Sequence, residues 1–221
     1  MKIDNYTLTV LKNFAKINPS IEIKEGNTIR TFEPSSKAIF ADATVDTIFE
    51  KQFAIYNLDR FLSVLSMFND PELTFNDKSV IISGDGKKTE YLYTDSINIK
   101  KPSDKKINMP SIDIEFKLKL DDMKNIDKAA SILSLPNVVV FGDGKEMFLM
   151  AEDSENPTTD THSISLGEID KEFKVVFKKE NLRMLPSDYN VSISSKGISR
   201  FESEDDKLTY YIAVEAKYSN F

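Results

Sequence analysis

The sequence predicts an α+β protein of two domains built on one plan, each a sheet covered on one face by two helices. Three observations predict it. The order helix, four strands, helix, three strands runs twice along the 221 residues. An Asp-Gly pair falls between two strand-like runs in each half, in SGDGK at 83–87 and FGDGK at 141–145, which is the chemistry of a tight hairpin. Between the halves lies SINIKKPSDKKINMPS (96–111), a polar stretch with two prolines, four lysines and no sustained period. The first domain is therefore placed at 1–98, an exposed connector at 99–110 and the second domain at 111–221.

Residues 4–17 set Leu8, Leu11, Phe14 and Ala15 at spacings of three and four, the pattern of one helix face. Strand-like runs follow at 20–24, 28–33, 37–44 and 52–56. A second helix is predicted over 58–68 from Leu58, Phe61, Leu62, Leu65 and Phe68, then strands at 72–76, 79–83 and 88–94. The second half repeats the order. Residues 121–133 form a helix on Met123, Ile126, Ala130 and Leu133, and strands are expected at 136–141, 145–152, 160–166 and 172–177. A short fourth helix over 179–185, carrying Leu182 and Leu185, stops at Pro186. Strands at 188–194, 198–202 and 207–215 complete the domain.

Fifteen Phe and eight Tyr beside seven Gly and eight Pro describe an ordered globular chain. The absence of Cys excludes a disulfide scaffold and thiolate chemistry, and it fits a reducing cytoplasm. No apolar run reaches the ~20 residues that cross a bilayer, and MKIDNYTLTV lacks the order of a signal peptide, so a soluble protein with no membrane partner is expected. The net charge of −7 argues against nucleic acid until its distribution is read. Residues 1–110 carry 15 basic and 15 acidic side chains and residues 111–221 carry 14 and 21, so the excess lies in the second half.

Three of the four predicted helices bear a basic pair at i, i+4: Lys12 with Lys16, Lys124 with Lys128, and Lys179 with Arg183. The fourth offers Arg60. Their acidic residues gather near N-termini as Asp4, Asp59, Asp121, Asp122 and Glu180, where a carboxylate caps free amides and complements the helix dipole. On one helix, lysines mark a solvated face and nothing more. Recurrence in both halves points further, to a cationic surface that contacts phosphates without reading bases.

Four segments carry a family resemblance: VLKNFAKIN (10–18), FAIYNLDRFLSVLSMFNDPEL (53–73), NLRMLPSDYNVSISSKG (181–197) and YYIAVEA (210–216). They resemble the sliding clamps of T-even-type phages, which share the processivity fold of PCNA. The resemblance implies two clamp domains per subunit, a homotrimeric ring, helices lining the hole and sheets outside. It implies that Lys12, Lys16, Arg60, Lys124, Lys128, Lys178, Lys179 and Arg183 face double-stranded DNA. It also implies head-to-tail pairing of 88–94 with 160–166, with Tyr91, Leu92, Tyr93, Ile164 and Leu166 in apolar contact. A peptide groove for DNA polymerase beside the connector falls to Phe40, Val45, Ile107, Met109, Tyr210 and Ile212, and the alternative for each of these is a place in its domain core. The remaining implied partners are an ATP-dependent clamp loader and RNA polymerase or co-activators of late transcription, in the cytoplasm of an infected bacterial host. No cofactor is implied.

The residues offer no competing chemistry. His162 is the sole histidine, so a metal site of several histidines is excluded. The GDGK segments lack the complete phosphate-loop pattern and sit between strands. Glu202, Glu204, Asp205 and Asp206 precede the last strand and read as a solvated turn, not as a cation cage. Two other readings stand beside the clamp. A non-catalytic phage structural or assembly protein with duplicated β-rich domains leaves the helix lysines without a purpose, and a nuclease needs a carboxylate cage on the cationic face.

Overall fold

The computed structural model describes residues 1–221, which divide into two units, Met1–Lys105 and Lys106–Phe221. In the first unit, α1 (Asn5–Ile17) leads to β1 (Ile21–Ile23), β2 (Gly26–Phe32), β3 (Ile39–Phe49) and β4 (Phe53–Ile55). Then come α2 (Leu58–Leu65), β5 (Glu72–Phe75), β6 (Ser79–Gly84) and β7 (Lys87–Leu92). All pairing is antiparallel: β1 with β4, β2 with β3, and β5-β6-β7 in order. Strand β3 alternates buried and open positions over its whole length, so Ile39, Ala41, Ala43, Val45, Thr47 and Phe49 face inward. They meet the inner face of α1, where Val10, Leu11 and Phe14 are buried.

Asp4 starts α1 by a mechanism the sequence announces. Its carboxylate accepts the Thr7 amide at 2.8 Å and the hydroxyls of Thr7 and Thr47 at 2.5 Å. Burial pushes this carboxyl up, yet the Thr47 and Thr7 hydroxyls and the Thr7 amide outweigh it and hold the pKa down at about 2. A folded pKa below the unfolded value means stability that is present at neutral pH and lost as pH falls through the window from about 4 to about 2. Asp4→Ala should therefore cost about 1–2 kcal/mol at pH 7, as cap deletions do, and little near pH 2. Denaturant titration at the two pH values checks this; an equal cost at both would remove the ionised cap from the account.

The second unit opens with β8 (Ile114–Leu118), followed by α3 (Leu120–Ile132), β9 (Asn137–Asp143), β10 (Glu146–Glu152), β11 (His162–Glu168) and β12 (Glu172–Lys178). Strands β13 (Tyr189–Ser194), β14 (Ile198–Ser203) and β15 (Leu208–Ala213) close it. One antiparallel sheet runs β11-β10-β9-β12, and β8-β13-β14-β15 pair in that order. Strand β8 is an element the sequence reading left out. Its counterpart in the first unit is a single residue, Met1, which exchanges two backbone hydrogen bonds with Leu73 at 2.7 and 2.8 Å.

The fourth predicted helix is absent as an α-helix. Only a 3-10 turn, Lys179–Asn181, forms. Pro186 excludes Leu185 from the helical region, and the chain finds other partners: the Leu185 amide donates to the Tyr210 hydroxyl at 3.0 Å and its carbonyl accepts the Tyr189 hydroxyl. Lys179 and Arg183 are therefore not successive positions on a helix face.

The two Asp-Gly pairs make different turns. In the β6–β7 hairpin Asp85 and Gly86 are the two central residues, both at positive φ, +52° and +70°. At the β9–β10 hairpin the turn falls one residue later. Gly144 takes the first central position at φ +85°, and Asp143 stays in the strand, its carboxylate accepting the Lys145 and Glu146 amides. The neighbouring Gly142 is required by closeness, since a Cβ there would meet the Lys171 carbonyl oxygen at 2.6 Å.

Candidate nucleic-acid interface

The cations predicted to meet DNA fall into two groups. Lys12 and Lys16 stand exposed on α1, on the side opposite buried Leu11, Phe14 and Ala15. Arg60 is exposed in the first turn of α2, whose N-terminus is capped by the Asn57 side chain accepting the Arg60 amide at 2.8 Å. Lys124 and Lys128 are exposed on α3, where Ile126 and Ala130 turn inward. Each of these helices is amphipathic, so burying the apolar stripe leaves the basic positions in solvent.

The second group is engaged within its own unit. Lys179 reaches back to α3, 3.3 Å from Asp127 and 2.9 Å from the Ser131 hydroxyl. Lys178 lies 3.7 Å from Glu215, and the Arg183 Nε donates to the Glu180 carbonyl at 2.7 Å. These three side chains line a cleft of about 850 Å³ together with Asp127, Glu155 and Glu215. Carboxylates at that range offset most of the field a phosphate would feel. Lys12, Arg60, Lys124 and Lys128 are thus the better placed cations.

Both strands named for subunit pairing are sheet edges. Strand β7 ends the β5-β6-β7 sheet and β11 ends the β11-β10-β9-β12 sheet, so each presents a row of open backbone groups. Leu92 points outward and is 69% exposed, and Ile164 and Leu166 are partly exposed. Tyr91 and Tyr93 behave differently from the expectation. The Tyr91 ring meets Phe61 edge-on at 5.2 Å with its hydroxyl on the Asn57 carbonyl, and Tyr93 stacks on Phe53 at 5.2 Å, so both rings pack mainly on their own unit. Sequence reasoning missed other apolar side chains left in solvent: Tyr56 at 67%, Met67 at 61% and Ile132 at 70%. Leu133, expected on the buried face of its helix, lies just past the end of α3 and is 37% exposed. The signal of Tyr56, Met67 and Ile132 was an apolar residue adjoining the helical stripe yet out of its period.

The residues proposed for a peptide groove divide by strand parity. Phe40, Ile107 and Met109 are partly exposed. Val45, Tyr210 and Ile212 are buried in the cores of their units and line no open groove. Along β15 the residue that faces outward is Tyr211, whose hydroxyl donates to the Ile107 carbonyl at 3.3 Å. A one-residue choice of face decides this, because the strand period is two. The acidic run before β15 serves its turn: Asp205 accepts the Ser203 hydroxyl and the Lys207 amide, and Asp206 sits at φ +55°.

Known proteins resemble the chain over nearly its whole length. A family model described as DNA polymerase processivity factor matches residues 2–104, and one described as gp45 sliding clamp, C terminal, matches residues 115–216. The sliding clamp of Vibrio phage KVP40 is 38% identical, covering 98% of this chain and 100% of that one. The sliding clamp of Enterobacteria phage T4 is 28% identical, over 98% of this chain and 97% of its own. Among solved structures, PCNA from Thermococcus kodakaraensis superposes with a TM-score of 0.68 at 16% identity, covering 96% of this chain and 98% of that one. The Helicobacter pylori β clamp bound to a DNA ligase peptide reaches 0.70 at 14% identity, over 97% of this chain and 65% of that one. These two show the same fold. With a relative this similar over nearly the whole length, the chain belongs to the sliding-clamp family: it is a non-catalytic processivity factor of DNA polymerase in phage DNA replication.

Proposed function

We propose that three copies of this chain close head to tail around duplex DNA, with α1, α2 and α3 turned toward the phosphates. The observation that carries this reading is the exposed i, i+4 lysine pair on each of the two 13-residue helices, Lys12 with Lys16 and Lys124 with Lys128. Long, solvated side chains attract phosphates over roughly a Debye length without committing to one register, so a ring held this way stays on DNA and slides. The clamp domains are taken as 1–98 and 111–221, joined by 99–110.

Pairing of β7 in one copy with β11 of the next satisfies both open edges. The exposed Leu92 on one edge, Tyr56 and Met67 flanking α2, and Ile132 and Leu133 at the end of α3 supply apolar area for the same contact. A heterologous contact of this kind closes into a ring and not into a two-fold dimer. Leu92→Asp, which places a carboxylate in that contact, should weaken self-association by tenfold or more, a loss of about 1.4 kcal/mol or greater. Sedimentation at graded concentration reads it. Unchanged self-association with the fold intact would place the contact elsewhere.

Polymerase, an ATP-driven loader and the late-transcription machinery dock in turn beside the connector, in the cytoplasm of the infected bacterial cell. Ile107, Met109 and Tyr211 are open side chains of the second unit, and Phe40 is one of the first. A small apolar contact of that kind exchanges readily between partners.

A further inference from the structure

The two units differ at one seam. In the second, β9 and β10 form a continuous ladder from Asn137 to Gly142 against Met147 to Glu152. In the first, the corresponding β1 and β2 follow one another across only two residues, yet β1 pairs only with β4 and β2 takes β3, so no ladder joins them. The stretch that leads into the connector crosses this region. It is held there by side chains of the residues that border the seam.

The clips are mostly ionic. Glu22 of β1 has a side chain only 4% exposed, and its Oε1 takes the Lys101 ammonium at 2.7 Å and the Ser96 hydroxyl at 2.6 Å. Lys24 pairs with the Asp104 carboxylate at 2.5 Å. Arg30 of β2 donates through Nη1 to the Asp104 carbonyl at 2.9 Å while its Nε is held by Asp42 at 2.9 Å. Asn18 adds a neutral bond to the Lys100 carbonyl at 3.0 Å. The same charged residues, with Glu25, Thr28 and Pro102, line an open cavity of about 220 Å³. The stretch contributes almost no buried apolar surface of its own: Ile97 is 87% exposed and none of residues 96–105 is buried. Charge, not hydrophobic burial, therefore holds it down.

The geometry points to an ionic strap: residues 96–104 are clipped across the β1–β2 seam by the Glu22–Lys101 and Lys24–Asp104 pairs, and the opening of these clips by salt or by a competing charged partner frees the connector. The two clips differ in kind. The Lys24–Asp104 pair is solvated and is screened by salt over a Debye length of about 8 Å at physiological ionic strength. The Glu22 carboxylate is buried, so loss of Lys101 leaves a desolvated charge without its cation, which is costly for the closed state. The strap thus has a salt-sensitive outer clip and a firm inner one. Its bearing on partner docking beside Ile107 and Met109 rests on the reading given under the proposed function.

Hydrogen–deuterium exchange of the full-length chain tests the strap without any partner. Asp104→Asn should speed exchange of the 97–105 amides about two- to fivefold at low salt and abolish their salt dependence, as loss of an exposed pair does. Lys101→Gln should speed it about tenfold or more, because it strands Glu22. The charge-swapped pair Lys24→Asp with Asp104→Lys should restore wild-type protection, and exchange in α1 and α3 should not move. Equal exchange in wild type and both single variants, or wild-type exchange that ignores salt, overturns the strap. Faster exchange together with unchanged affinity for a peptide of the polymerase C-terminus would uphold the strap and overturn the docking reading alone.

Discussion

Reversing the charge of one lysine on each long helix, Lys12→Glu with Lys124→Glu, should lower clamp loading and the length of processive synthesis by about tenfold or more, because electrostatic steering is worth roughly 10- to 1000-fold in association rate. Both side chains are exposed and stand clear of the buried stripes of α1 and α3, so thermal unfolding should change little. Loading of the wild type should fall more steeply with added salt than loading of the double variant, since the variant makes fewer phosphate contacts. Loading is read with labelled clamp, loader and ATP on primed circular DNA, and synthesis by product length. A matched pair of reversals at Lys178 and Lys179 should have a smaller effect, because these cations already face Glu215 and Asp127. Equal defects from the two pairs would contradict the ranking drawn from their surroundings.

The second large effect is on stability and follows from Tyr210. This residue is 0% exposed, meets Tyr189 edge-on at 6.2 Å, and its hydroxyl accepts the Leu185 amide at 3.0 Å. Tyr210→Ala empties a ring-sized volume and should cost about 3–5 kcal/mol. Tyr210→Phe keeps the ring and orphans the Leu185 amide, at about 1–3 kcal/mol. The ratio matters because the segment 182–186 has no helix to hold it, so the tyrosine hydroxyls stand in for a helical ladder. Denaturant midpoints of the two variants check the order. A mild Tyr210→Ala, with ring assembly unaffected and peptide binding lost, would instead return Tyr210 to the partner groove.

Much of the architecture was legible because local chemistry and tertiary need agree there. Asp4 reads as a cap and is one; the α1 stripe of Leu11, Phe14 and Ala15 reads as buried and is buried. The duplication showed itself as a repeated order of periods, which survives even where side chains diverge. Two elements were misread for definite reasons. Ile114, Phe116 and Leu118 alternate as β8 requires, but the strand is short and lies between a polar connector and an Asp-Asp helix start. Residues 179–185 carry two leucines three apart, yet seven residues ending at a proline cannot offset the cost of helix nucleation without tertiary support.

At the site, the cations could be found from spacing, but their strength could not. Lys178 faces Glu215 and Lys179 faces Asp127, and both carboxylates are remote in sequence from the cations they meet. The groove residues show the complementary limit. Tyr210 and Tyr211 are adjacent, alike and on opposite faces of β15, and nothing in the two letters says which one faces out. The seam between β1 and β2 was equally hidden, since a missing ladder leaves no mark on composition.

The central claim is topological: this clamp holds DNA by surrounding it, not by gripping it. The most direct test loads labelled protein onto a nicked circular plasmid with its loader and ATP, removes free protein by gel filtration, and cuts the plasmid once. On the intact circle the protein should remain bound through the column, and after linearisation it should run off the ends within the time of the assay. Retention that is the same on circular and linear DNA, and that falls only with added salt, would mean that the lysines bind phosphate directly and that no ring encloses the duplex.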